Sequence, residues 1–195
     1  YESILTGNGL LGTSTYVGDV KSKIKIDVGR TDLYDHRTRE DLQLNMYDHA
    51  RLPLGFFEID LGKNPTSSSG KMVLRDGLGI ADFGFGGSDA LSIHTRTLAN
   101  RDLIVIEIMN SSQTPLSIEW KPALSASPRS ITNPRSDYFP NQGGVFESRN
   151  GVNSFIQPMN AGGEYGLGYK RFEADDKIVI VASTYYSRSD HSGLK

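Results

Sequence analysis

Apolar and polar positions alternate with a period of two along most of the chain, the pattern of strands with one buried face. Leu11-Gly12-Thr13-Ser14-Thr15-Tyr16-Val17 and Lys23-Ile24-Lys25-Ile26-Asp27-Val28 flank a Gly18-Asp19 turn, which predicts a hairpin. The same reading predicts strands at 43–47, 55–61, 72–75, 80–85, 91–98, 103–109, 116–121, 152–157, 166–172 and 178–185. Ile104-Val105-Ile106-Glu107-Ile108 and Ile178-Val179-Ile180-Val181-Ala182 are apolar almost throughout, as strands in the middle of a sheet are. Turn residues fall between the runs, at Asn100-Arg101-Asp102, Ser111 to Pro115 and Ala174 to Lys177. No sustained helical period is present, so the expected fold class is all-β, a large antiparallel β-sandwich. Two stretches break the rhythm. Asn64 to Gly70 reads as a polar loop, and Ser125 to Gly144, with Pro128, Pro134 and Pro140, as a long connection covering one end of the sandwich.

Composition narrows the function. The 195 residues suffice for one large domain and carry a net charge of −2, with 21 basic residues scattered rather than clustered. No nucleic-acid partner is expected from that distribution. No apolar run reaches the roughly 20 residues that span a bilayer, so no membrane partner is expected either. The absence of cysteine removes disulfides, thiolate metal sites and a cysteine nucleophile. The chain opens at Tyr1 with no signal peptide, which reads as a processed or trimmed terminus.

Gly7-Asn8-Gly9-Leu10-Leu11-Gly12 spells the G-x-G-x-x-G of a dinucleotide-binding turn. That turn must open a helix whose free N–H groups hold the phosphate. Here Thr13-Ser14-Thr15-Tyr16-Val17 follows, with three β-branched residues in five, and these form strands. Asp32, 20 residues beyond Gly12, has the spacing of a ribose-binding acid but no βαβ unit around it. The structural motif Gly7, Asn8, Gly9 and Gly12 is therefore read as a glycine turn launching a strand, with Asn8 capping it.

The segment Ser3 to Gly18 resembles the opening of the N-terminal β-domain of glycoside hydrolase family 95 and its relatives, where a Leu-Pro-x-Gly-Asn-Gly-x-Leu-Gly stretch leads into a strand. Gly7, Asn8, Gly9, Leu11 and Gly12 match; Leu5 stands near the family's proline and Thr6 replaces an apolar residue. Thr31-Asp32-Leu33-Tyr34 is similar to the Thr-Asp-x-Trp that follows in the family, with tyrosine for tryptophan. Residues 73–85, 90–112 and 175–190 resemble later strands in the same order. The resemblance implies a super-sandwich similar to galactose-mutarotase-like folds. Residues 1–195 would form the N-terminal, non-catalytic domain of a larger glycoside hydrolase. Its partners would be carbohydrate and a C-terminal catalytic (α/α)6 barrel of the same polypeptide, in a secreted or periplasmic bacterial enzyme of polysaccharide degradation. No cofactor or metal is expected.

The loop Thr31 to Asp41 holds the densest chemistry: Asp32, Tyr34, Asp35, His36, Glu40 and Asp41, with Tyr47-Asp48-His49 shortly after. Two Asp-His pairs suit a metal in residue type but lack any metal-site spacing, and a solvated, turn-capping loop is the preferred reading. The resemblance places this loop toward the barrel, so Asp32, Tyr34, Asp35 and His36 become candidates for carbohydrate contact or for the domain interface. The strand acids Glu58, Asp60, Glu107 and Glu119 read as outward-facing, and no acid pair with glycosidase geometry can be assigned. Gly86-Gly87-Ser88-Asp89-Ala90 lacks the helix of a nucleophile elbow. Trp120 reads as packing rather than a sugar platform, and one ring of Tyr185-Tyr186 is expected inside. The alternative functions are a stand-alone carbohydrate-binding sandwich, which needs exposed aromatics, and a mutarotase-like epimerase, which needs a histidine and a glutamate in one cleft.

Overall fold

In a computed structural model, described for residues 3–37, 49–111, 115–136 and 138–188, the chain forms two antiparallel sheets packed face to face. In chain order the strands are β1 (Ile4–Gly7), β2 (Leu11–Val17), β3 (Lys23–Arg30), β4 (Gly55–Asp60), β5 (Ser67–Val73), β6 (Leu78–Gly84), β7 (Ala90–Thr97), β8 (Leu103–Asn110) and β9 (Ser117–Pro122). A single helical turn, α1 (Pro128–Thr132), precedes β10 (Val145–Arg149), β11 (Val152–Pro158), β12 (Glu164–Ala174) and β13 (Lys177–Ser187). One sheet has the order β1-β2-β3-β4-β9, the other β10-β11-β12-β13-β8-β7-β6-β5. The all-β sandwich expected from the alternation is the observed fold.

The alternation fixes which side chains meet between the sheets. Ile24, Ile26 and Val28 of β3 and Phe57 and Ile59 of β4 face Leu91 and Ile93 of β7, Ile104, Ile106 and Ile108 of β8, and Ile180 and Ala182 of β13, all buried. The two apolar runs, β8 and β13, are hydrogen-bonded neighbours inside the eight-stranded sheet. Phe57 lies edge-on to Trp120, with ring centroids 5.0 Å apart, and to Tyr169 at 5.3 Å. Trp120 is thus a core residue.

Three departures from the sequence reading have local causes. Met72 to Arg75 is not a strand of its own. The strand is β5, which begins at Ser67 inside the supposed polar loop and ends in a 3-10 turn at Leu74–Asp76. Its serines face solvent along a sheet edge, so it buries almost nothing and carries no alternation. The edge strand β10 is exposed at every position for the same reason. β1 has four residues, too few to show a period, and is held by its contacts with β5, β6 and β7. A Cβ on Gly79 would stand 2.6 Å from Ile4 Cγ2, so the glycine is what lets β1 close that corner. The predicted strand at 43–47 lies outside the described residues.

Threonines replace aliphatic side chains in the interior near β1. Thr6 Oγ1 is within hydrogen-bond distance of Thr13 (2.7 Å) on its own sheet and of Thr97 (3.0 Å) on the other. The buried hydroxyls satisfy each other and tie the two sheets together.

Candidate functional site

The glycine motif is a strand-to-strand turn. Asn8 Oδ1 accepts from the N–H groups of Leu10 (3.0 Å) and Leu11 (2.8 Å), while its Nδ2 donates to the Leu98 carbonyl at 2.9 Å. Asn8 therefore caps the turn and fastens it to the β7–β8 connection of the opposite sheet. Gly9 has φ 93°, a conformation that requires glycine. The N–H groups that a phosphate would need are already used by Asn8.

The same end of the sandwich carries the 31–37 loop. The even positions of β3 face inward, so its last residue, Arg30, is carried between the sheets and is only 8% exposed. Its guanidinium forks onto Asp32 (Nε–Oδ1 2.9 Å, Nη2–Oδ2 2.8 Å) and donates to Thr184 Oγ1 on β13 at 3.0 Å. Asp102 lies 3.7 Å away. Hydrogen bonding to Arg30 holds the Asp32 carboxyl below its ordinary range.

Beyond Arg30 the chain makes a short antiparallel ladder with residues 50–52. The Asp35 N–H donates to the Ala50 carbonyl (2.9 Å), and the Leu52 N–H donates to the Leu33 carbonyl (3.1 Å). Tyr34 and Arg51 are the pair between these bonds, the arrangement in which cross-strand side chains come closest. Asp35 points the other way and is 0% exposed. Arg37 Nε donates to its Oδ1 at 3.0 Å, and Nη2 stands 2.7 Å from Oδ2 in an ionic contact too poorly aligned to be a hydrogen bond. Arg37 also lies over the Tyr138 ring at 4.7 Å and donates to the Phe139 carbonyl.

These contacts bind the loop to the 125–144 connection, which closes this end. Asn141 Nδ2 donates to Ser125 Oγ (2.9 Å), the Ser127 N–H donates to the Tyr138 hydroxyl (2.6 Å), and the Asn160 N–H donates to Asn141 Oδ1 (2.8 Å). Tyr165 is fully buried beside them, and burial pushes its hydroxyl up to about 12.

The four loop candidates therefore divide. Asp35 has no surface to offer a sugar or a neighbouring domain; it is an internal anchor. Asp32 is half-buried and committed to Arg30. Tyr34 is exposed, with Arg51 Cζ 5.7 Å from its ring centroid. His36 is hydrogen-bonded to the hydroxyl of Tyr186, the inner ring of the tyrosine pair, while Tyr185 is more exposed. Burial and then the nearby Arg188 charge hold the His36 imidazole below its ordinary value of 6.5, with His49 acting in the same direction. The metal reading of an Asp35-His36 pair fails because Asp35 is turned inward onto Arg37, and no group of three candidate ligands occurs among the described residues. Glu40, Asp41, Tyr47 and Asp48 lie outside the described residues.

Arg51 also closes one end of an open trough of about 690 Å³ on the outer face of the five-stranded sheet. Gly12 and Gly29 floor it, Leu5, Phe56 and Pro53 wall it, and Asp27 lies at the far end. Gly7, Gly12 and Gly29 are direct register neighbours across β1, β2 and β3, so the floor is bare backbone.

Among the described residues, the strand acids Glu58 and Glu107 do not have the electrostatics of a glycosidase's general acid. Glu58 is bridged by Lys121 (2.6 Å) and Lys23 (2.8 Å), and Glu107 by Lys177 (2.6 Å), which holds both carboxyls below their ordinary range. A general acid for glycoside cleavage needs the opposite shift. Burial does raise Asp27, but among the described residues it is the only carboxylate lining the trough.

Sequence reasoning missed Arg30, Arg37 and Arg51, and it expected one ring of Tyr185-Tyr186 inside without saying that it is Tyr186. Arg30 was visible as a charge on the inward register of β3. The rest depend on contacts between segments far apart in the chain.

No protein-family model matches this sequence, and no curated protein matches it. The fold and the site define the class: a two-sheet antiparallel sandwich with a tied-down loop, an aromatic-cationic rim and an open trough at one end.

Proposed function

We propose that this chain is a non-catalytic β-sandwich domain of a multidomain glycoside hydrolase, which packs on the catalytic barrel and lends its 31–37 loop to the sugar cleft. The observation that carries the reading is the division of labour within that loop. Asp35 and Arg37 hold it from inside, while Tyr34 and Arg51 are presented outward as an aromatic ring and a cation on one short ladder. Such a pairing suits a pyranose ring and its hydroxyls. The strand acids engaged by lysines support a non-catalytic role. The resemblance of the Gly7–Gly12 turn and of Thr31-Asp32-Leu33-Tyr34 to glycoside hydrolase family 95 supports the choice of parent enzyme.

The trough beside Arg51 favours a second reading, a carbohydrate-binding module acting by itself. Its walls are apolar and its floor is open backbone, but Phe56 is the single aromatic ring among its lining residues.

One experiment separates the readings, and a second tests both. The coding region beyond Lys195 should continue into several hundred residues of helical repeat. A stop codon there removes the first reading and leaves the second. The isolated chain should not turn over aryl glycosides, and turnover would overturn both.

A further inference from the structure

We infer that the Arg51 end of the trough is a subsite for an acidic sugar, whose carboxylate or sulfate is received by Arg51 and the His36–His49 pair while Tyr34 serves as the ring platform. That the ligand is a glycan rests on the sugar-cleft reading above. That it is anionic rests on the charges of this face.

The ladder sets the geometry. Tyr34 is opposite Arg51 in the one bridge of this ladder, and His49, two residues before Arg51, lies near enough to His36 for its charge to act on it. Strand side chains alternate, so Tyr34, His36, His49 and Arg51 share one side while Asp35 is turned to the other. Tyr186 and Arg188, from the end of β13, join this side. Of the charges that act on His36, Arg188 and His49 oppose its protonation and Asp35 alone favours it. Asp35 is already paired with Arg37, and Asp32 with Arg30. Arg51 makes no ion pair with a described acid; its guanidinium rests on the Tyr34 ring with Nη2 3.4 Å from the hydroxyl. Among the described residues this face holds a cation laid against an exposed ring, with the His36 imidazole and Arg188 nearby, and both of its described acids, Asp32 and Asp35, are already paired.

A carboxylate or sulfate supplies negative charge to that face. The planar guanidinium fork fits either group, and an anion held there favours the protonated form of the His36 imidazole. The trough gives the rest of the chain a path, since Thr31 and Arg51 line its near end and Ser14 and Asp27 its far end. Asp27 repels a second anion there, so a single acidic residue at the Arg51 end is the pattern best matched.

The test is an NMR titration of the whole chain with trigalacturonate, with neutral maltotriose and with inorganic sulfate, following the His36, His49 and Tyr34 ring signals. Trigalacturonate and sulfate should give saturable shifts, and the His36 titration should move upward when either is bound. Arg51→Ala should weaken trigalacturonate at least about tenfold, with Arg51→Lys recovering part of the loss. Maltotriose should bind at least about tenfold more weakly than trigalacturonate. Three results would overturn the subsite: no saturable shift with either anion, equal affinity for the charged and neutral trisaccharides, or an Arg51→Ala affinity equal to wild type. Hexaglutamate binding as tightly as trigalacturonate would overturn the sugar part. Anion binding by the isolated chain is read independently of any downstream catalytic domain, so failure of the hydrolase reading and failure of this one are distinguishable.

Discussion

Asp35 and Arg37, two residues apart, form an internal fork: Arg37 Nε donates to Asp35 Oδ1 at 3.0 Å, and Nη2 stands 2.7 Å from Oδ2. The carboxylate is wholly buried and the guanidinium nearly so. Removing one partner strands the other's charge, so Arg37→Ala should destabilise the fold by about 3–5 kcal/mol. The double variant Asp35→Asn, Arg37→Met removes both charges and should lose less. Urea unfolding of the two variants checks the order.

Asn8 makes four hydrogen bonds with a short side chain, two within its turn and two to the Leu98 and Arg101 carbonyls of the β7–β8 connection. Asn8→Ala leaves the Leu10 and Leu11 N–H groups and the Leu98 and Arg101 carbonyls to find other partners. The expected loss is roughly 1–3 kcal/mol in urea unfolding. Asn8→Asp keeps the cap but loses the donor to Leu98 and Arg101, and should fall between wild type and Asn8→Ala.

Those two sites mark how far the sequence could be read. The alternation in β2, β3, β4 and β7 is strong because each buries one face between the sheets, and β8 and β13 stand out as apolar runs in the middle of theirs. It fails at β5 and β10, whose edge positions bury little and leave no pattern. The loop 31–37 stood out by composition, yet its polarity did not tell which acid was inside. Asp35 and Asp32 look equivalent in sequence. They are separated only by Arg37, Tyr138 and Asn141, whose approach depends on the path of the 125–144 connection. Arg51 enters through a ladder of three residues, too short for any period to reveal.

Stability should depend on pH in two steps. His36 has a folded pKa below its unfolded value of 6.5, so the folded state binds fewer protons there, and stability should fall as pH drops through and below that value. Asp32, Glu58 and Glu107 have lowered folded pKa values, so their contribution is present above their ordinary carboxylate range and is lost at lower pH. Asp27, which is raised, acts in the opposite sense and softens this second step. Urea midpoints measured from pH 8 to pH 3 should show the first decline in wild type and a reduced one in His36→Gln. An unchanged first decline in that variant would assign it to another group.

Gly29 offers a separation of binding from folding. A Cβ there meets nothing within 4 Å, so Gly29→Thr should fold at least as well as wild type, gaining up to about 1 kcal/mol from strand preference. The added side chain stands on the trough floor. Oligosaccharide binding in the trough should weaken while the urea midpoint holds or rises.

For the proposed glycoside hydrolase reading, the most direct measurement is the steady-state kinetics of the full-length enzyme that this reading requires, compared with its Tyr34→Ala variant, on an oligosaccharide substrate. Loss of a ring that only helps hold the sugar should raise KM several-fold, toward about tenfold, with kcat little changed. Unchanged KM and kcat would contradict a role for this loop in the sugar cleft.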